Sequence, residues 1–169
     1  MRSRILTLDV ALFLASNRIR AGQLKRLEFL LRGMSHLGDG YLWIALLIVA
    51  LTTGRTKAAF AGVVAAALAS GVSLFLKLTC RRTRPSGATN WGRFVAPDKY
   101  SFPSGHTTTA FALATVTVTQ WPTIAPALWI CAGCIAVSRA LLGCHYLSDV
   151  VAGAGLGLLS GASAGLILS

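Results

Sequence analysis

Six residues stand out in an otherwise apolar chain: Lys77, Arg84, His106, Arg139, His145 and Asp149. His145 and Asp149 are four apart, so on a helix they share one face. A carboxylate so placed holds an imidazole in one tautomer and stabilises the cation that forms when the ring attacks. His106 comes from a separate segment and supplies a proton; two histidines with different partners suit a nucleophile and a general acid. Lys77, Arg84 and Arg139 suit the oxygens of a phosphoryl group. In "PSGH" (103–106) Gly105 lets a backbone N–H approach an anion at a helix N-terminus, while Ser104 either caps that helix or donates to a phosphate oxygen. Zinc or iron on the two histidines and Asp149 is the competing chemistry, but three neighbouring cations would repel a metal. His36, in "SHLGDG", falls in no such cluster and reads as an interfacial or capping histidine.

These residues need helices to carry them. The 169 residues are 54% hydrophobic and 12% charged, with a mean hydropathy of +0.66. A soluble domain of this length cannot hide so much apolar surface, so the expected class is all-α, a polytopic membrane bundle. Five spans are predicted, at about 38–53, 57–80, 104–120, 123–142 and 146–168, the first with interfacial Tyr41 and Trp43. Residues 1–35 read as interfacial helices: a short apolar segment at 5–15, too short to cross and followed by a poor cleavage site, then an amphipathic "GQLKRLEFLLRGM". Residues 36–169 form the transmembrane bundle, and the whole is one domain. "RRTRPSGATNWGRFVAPDKYSFP" (81–103) is a loop, rich in Pro, Gly and charge. Cys131 and Cys134 lie inside an apolar run and read as small packing residues rather than a redox or zinc pair. Gly153, Gly157, Gly161 and Gly165 recur every fourth residue and open a smooth groove on the last span. A homodimer through that face is the sharper reading, and packing inside the bundle is the plainer one.

With spans alternating in direction, Lys77, Arg84, Ser104, Gly105, His106, Arg139, His145 and Asp149 all gather at one end of the bundle. Three stretches carry a resemblance there: "KLTCRRTRP" (77–85), "PSGH" (103–106) and "SRALLGCHYLSD" (138–149). In residue and spacing the chain resembles the type 2 phosphatidic acid phosphatase (PAP2) superfamily, and within it the small bacterial-type membrane lipid phosphatases. The resemblance covers about 60–168. It implies that His145 is the nucleophile that takes the phosphoryl group, with Asp149 behind it. It implies that His106 protonates the leaving oxygen, and that Lys77, Arg84, Ser104, Gly105 and Arg139 hold the phosphate. It also implies that no metal or other cofactor is needed. The family bundle usually has six membrane helices, so five spans plus interfacial helices is a departure.

The expected substrate is a membrane lipid phosphate: phosphatidate, phosphatidylglycerophosphate, a polyprenyl phosphate or diphosphate, or phosphorylated lipid A. The alternative is a phospholipid-binding or transport protein that keeps the pocket without turnover. The net charge of +11 fits anionic headgroups and the bilayer surface. Nucleic acid is not an expected partner, because the basic residues flank apolar spans. Fourteen basic residues fall on or toward the site end, and only Arg55 and Lys57 on the other. The positive-inside rule therefore puts the protein in the cell (inner) membrane with the site facing the cytoplasm.

Overall fold

The computed structural model describes Asp9, Ala11, Leu14, residues 24–85 and residues 99–167. Among these residues six helices follow in order: α1 (Lys25–Leu37), α2 (Tyr41–Thr52), α3 (Thr56–Cys80), α4 (Gly105–Gln120), α5 (Ala125–Leu141) and α6 (Leu147–Ile167). The predicted spans coincide with α2 to α6 to within three residues at each end. Helices α3 and α6 are each long and apolar enough to cross a membrane, and α1 with α2 passes the same test as one pair bent by 40°. Apart from Asp9, Ala11 and Leu14, the segment at 5–15 lies outside the described residues.

The buried faces follow four-residue rows of small side chains, which let helices approach closely. On α3 the row is Ala61, Ala65, Ala69, Ser73 and Lys77. On α4 it is Ser104 at the cap, then Thr108, Ala112 and Val116. On α6 it is Asp149, Gly153, Gly157 and Gly161. Each row therefore runs from inert packing residues straight into a candidate functional residue. Helix α5 does the same at mixed three- and four-residue spacing, through Leu128, Ala132 and Ile135 to Arg139.

Helix α4 lies along α6 in the most extensive helix contact of the fold. A Cβ on Gly153 would stand 2.8 Å from the Ser104 carbonyl oxygen. One on Gly157 would meet Thr108 O and stand 2.7 Å from Phe111 Cβ, and one on Gly161 would meet Ala112 O. The glycine face is thus filled by α4 and is not open to a second chain over Gly153, Gly157 and Gly161; Gly165 alone of the four has open space. Trp43 also departs from expectation. It is buried in the main core with Ala65, Leu113 and Leu128, not at an interface, whereas Tyr41 is exposed.

Helix α1 is amphipathic as read, but its orientation splits its apolar residues. Leu31 and Met34 pack on Leu142 and Cys144, while Leu24, Phe29 and Leu30 remain exposed. On its polar side Glu28 pairs with Arg32. The α3 helix ends at Arg81, whose φ of 47° is left-handed and closes the helix through Arg81 N–H on Lys77 O. The left-handed region costs an ordinary residue about 1–2 kcal/mol, and here it is part of the reversal that brings Arg82 to α6. The ends of the long loop are tied together: Ser101 N–H donates to Arg82 O at 2.8 Å, and Thr83 bridges to Tyr100.

The α4–α6 contact predicts a position-specific response. Gly157→Ala should cost about 1–3 kcal/mol, the usual range for overpacking, read as a lower melting temperature in detergent. Gly155→Ala, where a Cβ has open space, should cost nothing. Equal responses at the two positions would mean that the contact is looser than described.

Candidate active site

All eight candidate residues come to one end of the bundle, each by a different local route. Ser104 is the last residue before α4, and its N–H donates to the Asp149 carbonyl at 3.0 Å, fixing the start of α4 against the start of α6. Its side chain makes no cap, contrary to one of its two expected roles. Instead its hydroxyl oxygen accepts from Thr107 Oγ1 at 3.0 Å, and the hydroxyl proton is left to other acceptors. The first-turn N–H groups of α4 have no partner within the helix, so this end attracts anions. Lys77 reaches over it: a Cβ on Gly105 would stand 3.5 Å from both Lys77 Nζ and Ser73 Oγ. Gly105 leaves this approach unobstructed.

The other cations close round the same point. Arg139 ends the buried row of α5, and Ser35 of α1 accepts its Nη1–H at 2.6 Å. Arg139 Nε is buried and has no hydrogen-bond partner among the described residues. Arg84 Nη1 donates to the Cys144 carbonyl at 3.2 Å. Burial, and after it the charge of Arg139, pull the Arg84 guanidinium below its ordinary value. Lys77 and Arg139 are buried and Arg84 is half-buried; cations so placed repel one another, an arrangement that costs stability unless an anion joins them.

His145 sits in the turn between α5 and α6. That turn is made possible by Gly143, whose φ is 68°, and it wraps back so that Cys144 N–H and His145 N–H both donate to Arg139 O. The imidazole is buried, 3% exposed. Its Nδ1 lies 2.7 Å from the Ser101 carbonyl oxygen. A carbonyl only accepts, so Nδ1 carries the proton and the lone pair is on Nε2. Burial pushes the His145 ring below the ordinary histidine range; Asp149 opposes this, and Arg139 and Arg84 add to it. A neutral ring with a free Nε2 lone pair is a nucleophile at neutral pH.

Asp149 is fully buried but does not hold His145 by a hydrogen bond; its Oδ2 is 3.7 Å from Nδ1. Oδ2 accepts the Tyr146 N–H at 3.0 Å, the return half of a capping box for α6. Oδ1 accepts Arg82 Nη1–H at 2.7 Å. The tautomer of His145 is therefore set by Ser101, and Asp149 acts on the ring through its charge. Arg82 stacks 4.0 Å above the Tyr146 ring and also donates to Ser148 Oγ at 2.7 Å and Asp9 Oδ2 at 3.2 Å. Asp9 in turn accepts from Ser148 N–H and Oγ–H.

His106 is the second residue of α4, and its Nε2 is 2.8 Å from Asp39 Oδ1. The other carboxylate oxygen, Oδ2, is 2.7 Å from Nδ1 of His36. His36 is thus one step from His106, not the isolated histidine expected from sequence. Asp9, Ser35, Asp39, Arg82 and Ser101 were all missed by sequence reading. Only Asp39 carried a usable signal, as an acid between two glycines at the edge of an apolar run.

A helical bundle that gathers cations, a helix N-terminus and a neutral buried histidine at one end defines a membrane phosphatase site. The PAP2 superfamily profile matches residues 58–167, and the chain belongs to that superfamily. It is 37% identical over 140 residues to the decaprenylphosphoryl-5-phosphoribose phosphatase of Mycobacterium tuberculosis, covering 78% of this chain and 75% of that protein. The crystal structure of Aquifex aeolicus LpxE matches with a TM-score of 0.69 and 28% identity, over 82% of this chain and 84% of the other. The crystal structure of a PAP2-type phosphatidylglycerolphosphate phosphatase from Bacillus subtilis shares the fold, with a TM-score of 0.71 at 23% identity, over 95% and 84% of the two chains. The protein is an integral-membrane lipid phosphatase of this superfamily.

Because Ser101 already fixes the His145 tautomer, Asp149→Asn should cost less than the roughly 10⁴-fold seen when a triad loses its tautomer. The expected loss in kcat is about 100- to 1,000-fold, with KM changed only severalfold. A loss under tenfold, ~1.4 kcal/mol of barrier, would reduce Asp149 to a helix cap.

Proposed function

We propose that this protein hydrolyses a phosphomonoester of a membrane lipid through a phosphohistidine on His145. The observation that carries the reading is the gathering of Arg84 and Arg139 by a buried His145, with Lys77 over the N-terminus of α4. Phosphate oxygens take the Lys77 ammonium, the two guanidinium groups, the Ser104 hydroxyl and the first N–H groups of α4. The unpartnered Nε of Arg139 supports this assignment.

His145 Nε2 attacks phosphorus. The bond from phosphorus to the lipid oxygen breaks, and its electron pair stays on that oxygen, which takes a proton from His106. The Asp149 charge stabilises the imidazolium that forms. His106, now neutral, accepts a proton from water as the water oxygen attacks phosphorus. The P–N bond breaks, phosphate leaves, and both histidines return to their starting state.

For the substrate, we favour a polyprenyl-linked sugar phosphate, on the 37% identity with the mycobacterial decaprenylphosphoryl-5-phosphoribose phosphatase. Phosphatidate, phosphatidylglycerophosphate, lipid A phosphate and polyprenyl diphosphate complete the test panel. Phosphate release from the panel in micelles should be vanadate-sensitive, unaffected by EDTA and greatest for the polyprenyl sugar phosphate. Rapid quench with radioactive substrate should trap acid-labile phosphate on wild type and none on His145→Ala. Equal labelling of the variant would move the nucleophile elsewhere. Binding without release would leave a phospholipid-binding protein.

We also propose that the site faces the cytoplasm from the inner membrane, with residues 1–35 at the lipid interface. Described basic residues at the site end include Arg81, Arg82 and Lys99 as well as the phosphate ligands. Arg55 and Lys57 lie at the other end, where Arg55 donates to Gln120 O at the close of α4. Charges flanking spans bias topology in this sense. In a background without native cysteines, Lys99→Cys should resist an impermeant thiol reagent in intact cells and react once the membrane is opened. Thr56→Cys should react in intact cells. The reverse pattern would put the site outside.

A further inference from the structure

We propose that Asp39 is the positioning residue of the general acid: it holds His106 by Nε2 and leaves Nδ1 to protonate the lipid oxygen. The proposal rests on the reading of His106 as the acid. Three independent observations support it. First, the contact is direct, 2.8 Å from Asp39 Oδ1 to His106 Nε2. The carboxylate is held from its far side by His36 Nδ1 at 2.7 Å, so it does not swing away from the ring.

Second, the backbone is shaped for the contact. Asp39 lies between Gly38 and Gly40 in the bend joining α1 to α2. A Cβ on Gly38 would stand 2.9 Å from His106 Cδ2 and 3.0 Å from Ile135 Cγ2. A side chain there would crowd the ring against Ile135 and the Ser35 carbonyl. Gly40 has a φ of 105°, a conformation open to glycine and little else.

Third, the electrostatics require a counter-charge. The cations facing His106 are Lys77 from α3 and Arg139 from α5. Asp39 is the carboxylate in contact with it, with His36 beyond. The chain holds only five acidic residues. An acid placed against this histidine offsets part of that positive charge.

In the step proposed, the Nδ1 proton goes to the lipid oxygen as the phosphorus–oxygen bond breaks, and the Nε2 proton stays on the Asp39 hydrogen bond. The ring is then neutral, with Nδ1 ready to take a proton from water. A general acid contributes about 10²–10⁴-fold where the leaving group is a poor one. A leaving group that departs as a stable anion needs no such proton.

The test is single-turnover release of the first product by the full-length protein in micelles, with two probes. Dodecyl phosphate leaves as an alcohol that needs the proton; an alkyl-substituted 4-nitrophenyl phosphate leaves as a nitrophenolate that does not. Asp39→Asn should slow release from dodecyl phosphate about 100-fold and from the nitrophenyl ester by less than about fivefold. Near-normal release from the second probe also shows that the variant is folded. His106→Asn should give the same selectivity with a larger loss. If His106→Asn is selective and Asp39→Asn slows both probes equally or neither, the role of Asp39 is overturned and His106 remains the acid. If His106→Asn itself slows both probes equally, the acid assignment and the role of Asp39 fall together.

Discussion

The close approach of α4 to α6 is the constraint on which the rest depends. Gly153, Gly157 and Gly161 present backbone where other residues would present a side chain, and α4 fills the space. Nothing wider would bring Ser104 N–H onto the Asp149 carbonyl. That single bond aligns the N-terminus of α4 with the turn carrying His145. Its surroundings are dry, since Ser104 and Asp149 are fully buried. In a membrane, where apolar surfaces gain little by leaving lipid, van der Waals packing of this kind supplies much of the helix association. Packing and site assembly are therefore the same event.

Charge is the second constraint. The proposed phosphate ligands form a cluster of largely buried cations, and such a cluster needs support when no ligand is bound. The chain has five acidic residues, and Asp9, Asp39 and Asp149 all stand at the site end. Each has its own task. Asp149 lies near His145, Asp39 holds His106, and Asp9 reaches the same corner through Arg82 and Ser148. Arg82 links Asp149 to Asp9: it ties the carboxylate beside the proposed nucleophile to a residue near the chain's beginning. Glu28 pairs with Arg32 on the exposed side of α1.

Neutral partners decide the details that charge cannot. The Ser101 carbonyl, held by the closed ends of the long loop, selects the His145 tautomer. Ser35 of α1 aims Arg139. A helix read as lying on the membrane surface thus also reaches the candidate site through Ser35, and Asp39 follows it in the bend to α2. The candidate machinery draws on every helix from α1 to α6 except α2, whose contribution is packing through Trp43.

By itself the sequence determined the helices, their order and the end of the bundle where chemistry gathers. Long apolar runs with polar residues only at their ends leave little freedom in a bilayer, so the residues near those ends were legible, although His145 lies in the turn before α6 and does not share a helical face with Asp149 as its spacing suggested. The four-residue glycine row was also legible, though not which helix fills it. What the sequence left undetermined depends on contacts between residues far apart in the chain. Asp39 meets His106 across 67 positions, Ser35 meets Arg139 across 104, and Arg82 meets Asp149 across 67. No periodicity records such pairs, because each lies at a helix end or turn where direction is set by packing. Only the tertiary structure could show that Ser101, not Asp149, accepts the His145 Nδ1 proton: a backbone carbonyl has no signature in the sequence, and its position follows from how the chain around it is held.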